Sequence, residues 1–216
     1  MRNTVRTAAA VAVLALSLAA CGTSGDGSSS SAPAAVIGAS QKPAIDLDTP
    51  YAKPDLVLTD SQGKKYDLVK ETAGHPTLLY FGYTHCPDVC PTTMSDLAIA
   101  KSRLSKADQA ALRVVFITTD PERDTPKRLA AWLGSMDTSF IGLTGDFSEI
   151  QAGARALGVD VEKPVKKKDG TVSVTHGAQV IAFSPKDNKA HAVYLQGTTS
   201  AQYAHDLPEI IKGQTP

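Results

Sequence analysis

The stretch YFGYTHCPDVCP, Tyr80 to Pro91, sets Cys86 and Cys90 with three residues between them. Such a pair has three uses: a disulfide that staples a fold, a dithiol couple that exchanges electrons, or two legs of a metal site. Stapling is the bland use, and exported proteins do carry disulfides. Closing so short a loop removes little chain entropy, however, so it would stabilise weakly. The pair falls between an apolar run and a helical pattern, at a strand-to-helix corner. Free N–H groups and partial positive charge gather at a helix N-terminus, and both favour thiolate over thiol. Accessible thiolates suit exchange or metal binding.

Two soft thiolates select Cu(I), Zn or Fe–S over hard ions such as Mg or Ca. An Fe–S cluster wants four cysteines, and of the three in the chain only Cys86 and Cys90 fall in the folded part. Closed structural zinc needs two further ligands. Two thiolates completed by one imidazole suit copper best, because a three-ligand site is open enough to hand the ion on.

The elements that must position this pair can be read from the pattern. Pro54 to Leu68 alternates apolar residues about Ser61-Gln62-Gly63, as an N-terminal β-hairpin does. Pro76–Tyr83 and Arg113–Asp120 are continuous apolar runs, the mark of strands buried on both faces. Between them, Met94, Leu97, Ala98 and Leu104 fall at helical spacing after Pro91, which suits a first turn. A helix opens at Thr125 with Pro126 at its first position, and a second runs from a capping Asp146 to Gly158. The segment 163–170 (KPVKKKDG) reads as a solvated hairpin tip. Residues 178–197 form a hairpin turning at Lys186 to Asn188, and a last helix carries Pro208 as a bend or interruption. Strand, crossover helix, strand is the rhythm of parallel pairing, and the closing hairpin adds antiparallel edges. The expectation is α/β: a thioredoxin-like fold with a mixed central sheet flanked by helices.

The N-terminal residues give an address. Arg2 and Arg6 precede an uncharged apolar stretch, Thr7 to Ala20, which is short for a membrane span and fits an export signal over residues 1–20. The segment ends Leu18-Ala19-Ala20-Cys21, which resembles the bacterial lipobox, so Cys21 is expected to be acylated. The expected location is the extracytoplasmic face of the cell membrane, held by lipid. Residues 21–50 are rich in Gly, Ser, Ala and Pro and read as a flexible tether; residues 51–213 make one domain of ordinary size. The chain has 22 basic and 22 acidic side chains; losing Arg2 and Arg6 with the signal leaves a net charge of about −2. No clustered basic face calls for nucleic acid.

FGYTHCPDVCPTT resembles the signature of the Sco/SenC family, extracytoplasmic thioredoxin-fold proteins that supply copper for the CuA centre of cytochrome c oxidase. The opening hairpin, FITTDPERDTPKRLAAW (116–132) and VTHGAQVIAFSP (174–185) follow in the family's order. The resemblance implies Cys86, Cys90 and His176 as ligands of Cu(I) or Cu(II), and oxidase subunit II as acceptor, with a second copper chaperone as candidate donor. Two departures stand out: Thr175 precedes the histidine where many relatives carry an acid, and Gly177 follows it. Asp120 and Asp124 match a family acidic pair linked to copper function, against which stands simple capping of the next helix. Asp88 is a third candidate neighbour of the site, or a turn former.

Among the histidines, His75 sits in a turn before Pro76 and is expected to face water; His191 is placed on an edge strand and His205 on a helix surface. His85 adjoins Cys86, but neighbouring side chains at a sharp corner diverge. His176 enters an apolar strand after a flexible loop that a thioredoxin-like sheet brings beside the cysteines. Two functions are therefore expected to compete. One is a membrane-anchored copper chaperone, the other a thiol–disulfide reductase that keeps another protein's cysteines reduced; only the first needs an imidazole.

Overall fold

The computed structural model describes residues 43–216; the export signal, Cys21 and the first part of the tether lie outside the described residues. The sheet has eight strands: β1 (Ala44–Ala52), β2 (Val57–Asp60), β3 (Lys65–Asp67), β4 (Thr77–Gly82), β5 (Arg113–Thr118), β6 (Ile141–Thr144), β9 (Val180–Phe183) and β10 (Lys189–Tyr194). A separate ribbon is formed by β7 (Val165–Lys166) and β8 (Val172–Ser173). The helices are α1 (Leu68–Glu71), α2 (Val89–Ser102), α3 (Lys106–Ala111), α4 (Pro126–Gly134), α5 (Phe147–Ala156) and α6 (Ser200–Ile211). Strand order is β1-β10-β9-β4-β5-β6-β2-β3. β4, β5 and β6 run parallel, and β9 lies antiparallel to β4. The expected mixed sheet is present, with β4 at its centre.

β4 is central because both its faces are apolar. Leu78 and Tyr80 point into one core with Met94, Leu97, Phe116, Leu129, Tyr194 and Tyr203. Leu79 and Phe81 point into a second with Leu58, Val115, Ile117, Ile150, Ile181 and Phe183. Period-two alternation thus splits one uninterrupted run between two layers, α2, α4 and α6 on one side and α5 with α1 on the other. Caps set the helix starts. Thr125 accepts from the Arg128 amide, Asp146 from those of Ser148 and Glu149, and Thr199 with Gln202 closes a capping box.

Five expectations need correction. The tether does not reach residue 50: Ala44–Ala52 is an edge strand pairing antiparallel with β10, and Ala44 is buried. Its pattern was hidden because a register shift between Asp46 and Tyr51 breaks the alternation, and Pro50 sits there, where only an edge strand tolerates it. For the same reason β10 is internal, so His191 is not on an edge; it reaches Asp187 at 2.8 Å. The single helix expected after Pro91 ends at Ser102, and a second begins at Ser105, whose hydroxyl accepts from the Asp108 amide. α6 runs continuously through Pro208. His75 is half-buried and held by the Ala111 carbonyl at 3.1 Å instead of facing water. No helix among the described residues is long and apolar enough to cross a membrane.

Candidate metal centre

The cysteine corner is the end of β4. The chain leaves Gly82, turns through Tyr83–Asp88 and enters α2 at Val89, so Cys90 lies in the first helical turn. Asp88 occupies the cap position without a side-chain cap, leaving first-turn amides free. One of them, the Cys90 N–H, donates to Cys86 Sγ at 3.4 Å. Both cysteines are free thiols.

The two sulfurs have opposite surroundings. Burial pushes the Cys86 thiol up, but the amides of Cys90 and Asp88 and the side chains of Cys90 and Tyr83 hydrogen-bond its anion, so its pKa falls below the usual thiol value. Cys90 is fully buried, and burial pushes its pKa up to about 12 despite the Tyr80 hydroxyl 3.6 Å from its sulfur. The expectation that the corner favours thiolate holds for Cys86 and fails for Cys90, because two amides outweigh burial at Cys86, whereas the deeper burial of Cys90 outweighs its backbone contact with Tyr83.

Of the histidines, the structure brings His176 to this corner. Its Nδ1 lies 2.9 Å from the Gly177 carbonyl, which only accepts, so Nδ1 carries the proton. Nε2 is then a free lone pair, and it faces Cys90 Sγ at 3.5 Å. Burial lowers the imidazole pKa, and the Gly177 contact opposes that weakly. The ring is wedged edge-on between Tyr80 and Tyr83, with centroids 6.1 and 5.7 Å away. Tyr83, Cys86, Asp88, Thr175 and His176 line one open cleft of about 360 Å³. Among the described residues no three Cys, His, Asp or Glu side chains are already collapsed onto a common centre. The donor set of two sulfurs and a neutral imidazole nonetheless fits a soft or borderline ion.

His85 turns away from the sulfurs, to 3.4 Å from Asp124 Oδ1 and 3.3 Å from Thr84 Oγ1. Asp124 caps nothing. It is buried beneath the corner and accepts from the Thr84 amide at 2.9 Å, the Thr84 hydroxyl at 2.6 Å and the Thr118 hydroxyl at 2.7 Å. Asp120 pairs with Arg123, and the cap of α4 is Thr125. Asp88 is exposed on the cleft wall. Sequence reasoning missed Tyr80, Thr84 and Arg128, whose Nε donates to Thr84 Oγ1 at 2.9 Å. Tyr80 had a signal: it falls in phase with Leu78 on the β4 face that also buries Cys90.

Known proteins resemble this chain in sequence and in fold. The sequence profile of the family described as SCO1/SenC matches residues 46–212. The mitochondrial protein SCO1 of Saccharomyces cerevisiae is 34% identical over 124 residues, 56% of this chain and 42% of that protein. The chain spans about half the length of the curated relatives it matches. Among solved structures, Bradyrhizobium japonicum ScoI with copper bound is 34% identical, with a TM-score of 0.63 over 74% of this chain and 96% of that one. Yeast Sco1 with copper bound is 27% identical, with a TM-score of 0.65 over 80% and 92%.

Proposed function

The chain belongs to the SCO1/SenC family, and from that premise we propose that it is a copper chaperone whose cargo is held by Cys86, Cys90 and His176. The observation that carries this reading is the aim of His176: Nδ1 is tied to Gly177 and Nε2 presents its lone pair to Cys90 Sγ. A dithiol exchanger needs no such imidazole. Two sulfurs hold Cu(I), and the imidazole adds the nitrogen that Cu(II) prefers. Cys86 and His176 on the walls of an open cleft, with Cys90 buried behind them, leave the ion accessible to an incoming acceptor, which the resemblance names as the CuA site of cytochrome c oxidase subunit II. A second copper chaperone is the candidate donor. Acylation at Cys21 would hold the domain on the extracytoplasmic face of the membrane, with residues 22–42 as the tether. Asp124 supports the site from beneath by fixing Thr84, two residues before Cys86; Asp88 and Asp120 have no comparable hold on it.

His176→Ala tests the reading. It is expected to abolish the Cu(II)–thiolate charge-transfer band, retain Cu(I), leave disulfide exchange near its normal rate and impair oxidase assembly at low copper. Wild-type Cu(II) absorption and full oxidase activity in this variant would refute it. A second reading has its own observation. An accessible thiol of lowered pKa beside a buried one of raised pKa divides the roles of attacking and resolving thiol. On that reading Cys86 attacks the acceptor's disulfide and Cys90 releases the reduced acceptor, leaving a Cys86–Cys90 disulfide that an external thiol reductant must reopen before the domain can carry copper.

A further inference from the structure

An arm bearing four lysines ends on the histidine of the cleft. Val161 pairs with His176, the Glu162 amide donates to the Thr175 carbonyl at 3.0 Å, and the Gly177 amide donates to that of Asp160 at 2.7 Å. β7 and β8 carry the ladder outward, Val165 opposite Ser173 and Lys166 opposite Val172. The tip closes with the Lys167 amide on the Thr171 carbonyl and Gly170 at φ +85°. At about 3.3 Å per residue, the tip stands roughly 17 Å along the ribbon from His176.

Lys163, Lys166, Lys167 and Lys168 are all exposed on this arm. Glu162 and Asp169 are its only acids, and Asp169 is occupied by the Thr171 amide and hydroxyl. Over the whole chain basic and acidic residues balance at 22 each, so this excess is local. Among the described residues none of the four lysines takes part in an ion pair. Val165 is 61% exposed between them. The exposed charge of the cleft itself is Asp88, opposite in sign to the lysines farther out along the arm, and this polarity would orient a charged partner.

We propose that the arm of residues 161–175 docks an acidic protein surface, that of the protein which receives the metal. This rests on reading the cleft as a copper-transfer site. A bilayer is the weaker fit, since the arm has none of the Trp, Tyr or Phe that anchor a segment at a membrane interface. Lysines on an exposed arm steer encounter and set register more than they add affinity. Because the ladder's last rung is His176, a partner seated on the arm sits beside the ligand it must displace.

The full chain, solubilised in mild detergent and loaded with Cu(I), would be offered two synthetic dithiol peptides identical except for flanking glutamates or flanking glutamines. Transfer to the glutamate peptide is expected to be at least about tenfold faster at low salt, with the advantage shrinking as salt rises. K163E/K166E/K167E/K168E should invert the preference, and the corresponding glutamine variant should erase it, with the Cu(I) affinity of each unchanged. Equal rates from wild type to both peptides would overturn the docking arm. So would lysine-dependent binding to phosphatidylglycerol vesicles without any peptide preference, which would assign the arm to lipid. Preference for the acidic peptide, together with no transfer to the copper-free soluble domain of oxidase subunit II, would leave the arm standing and sink the oxidase reading.

Discussion

The two walls of the cleft are built differently. The cysteine wall closes β4, the strand buried on both faces, and rests on Asp124, itself 0% exposed and holding three donors. The histidine wall hangs from a ribbon of two-residue strands with no buried residue between Glu162 and Thr175. One wall fixes two sulfurs at the end of a buried strand that a buried carboxylate braces. The other holds its imidazole by local contacts, Gly177 and the edges of two tyrosines. The proposed function requires the domain to bind and then release, and this division would place permanence in the thiols and adjustability in the imidazole. If the comparison is right, damage to the first wall unfolds the domain and damage to the second does not.

The largest expected effect is on the first wall. Asp124→Ala strands the Thr84 amide and hydroxyl and the Thr118 hydroxyl, all buried. Losing a buried, charged acceptor with several donors costs about 3 kcal/mol or more. Urea unfolding should show that loss, and copper binding should fall with it because Thr84 leads into the cysteine loop. A cost below about 1 kcal/mol would mean that water replaces the carboxylate readily, and the wall would not be rigid in the sense argued.

Gly82→Ala should come next. A Cβ there would stand 2.7 Å from Tyr80 Cε1, 3.0 Å from Phe116 Cε2 and 3.1 Å from Cys90 Sγ. Overpacking of this kind costs about 1–3 kcal/mol. The strain falls on Cys90 and on the tyrosine that borders His176, so the Cu(II)–thiolate absorption should shift as well as the unfolding midpoint. A normal spectrum with lowered stability would show that the strain relaxes toward Phe116 instead.

How far these walls could be read in advance follows from their construction. β4 and β5 were legible because burial on both faces leaves an uninterrupted apolar run. The start of α4 was legible because Thr125 and Pro126 act locally. β1 was not, because one buried alanine and a register shift around Pro50 leave no periodicity. Asp124 was in view but its role was not, because its three donors come from Thr84, in the loop after β4, and Thr118, at the end of β5, which meet only in the folded protein. The contrast between Cys86 and Cys90 depends on depth and on which amide points where. No spacing rule encodes that.

Alkylation separates the thiols within the first wall. Cys86 is half-exposed with a lowered pKa, while Cys90 is buried with one near 12. The thiolate is the reacting species, so the rate at Cys86 should persist at pH values where an ordinary thiol has already fallen off. Cys90 should stay unreactive through neutral pH and gain only in strong alkali. Mass mapping after brief iodoacetamide treatment should find Cys86 modified first, by a factor of ten or so at neutral pH. In urea the two should react alike. Equal rates in the folded protein would remove the asymmetry on which the exchange reading depends.

The smallest effect on stability should come from the second wall, and Gly170→Ala sets it apart from the first. Gly170 holds φ +85°, and nothing lies within 4 Å of the Cβ an alanine would add. The penalty is therefore backbone strain alone, roughly 1 kcal/mol. In a cooperative wall that cost would appear in full as lost global stability. In a ribbon with no buried residue it is relieved by opening the tip while the core stays folded, so the global unfolding energy should move by less than about 0.5 kcal/mol. Hydrogen exchange shows where the strain goes. The Lys167 amide, bonded across the tip to Thr171, should lose protection. The Thr119 amide, bonded to the Gly82 carbonyl at 2.6 Å behind the cysteine corner, should keep it. Loss of protection at both, with a matching fall in global stability, would mean that the arm and the corner unfold as one unit and that the histidine wall is as permanent as the thiols.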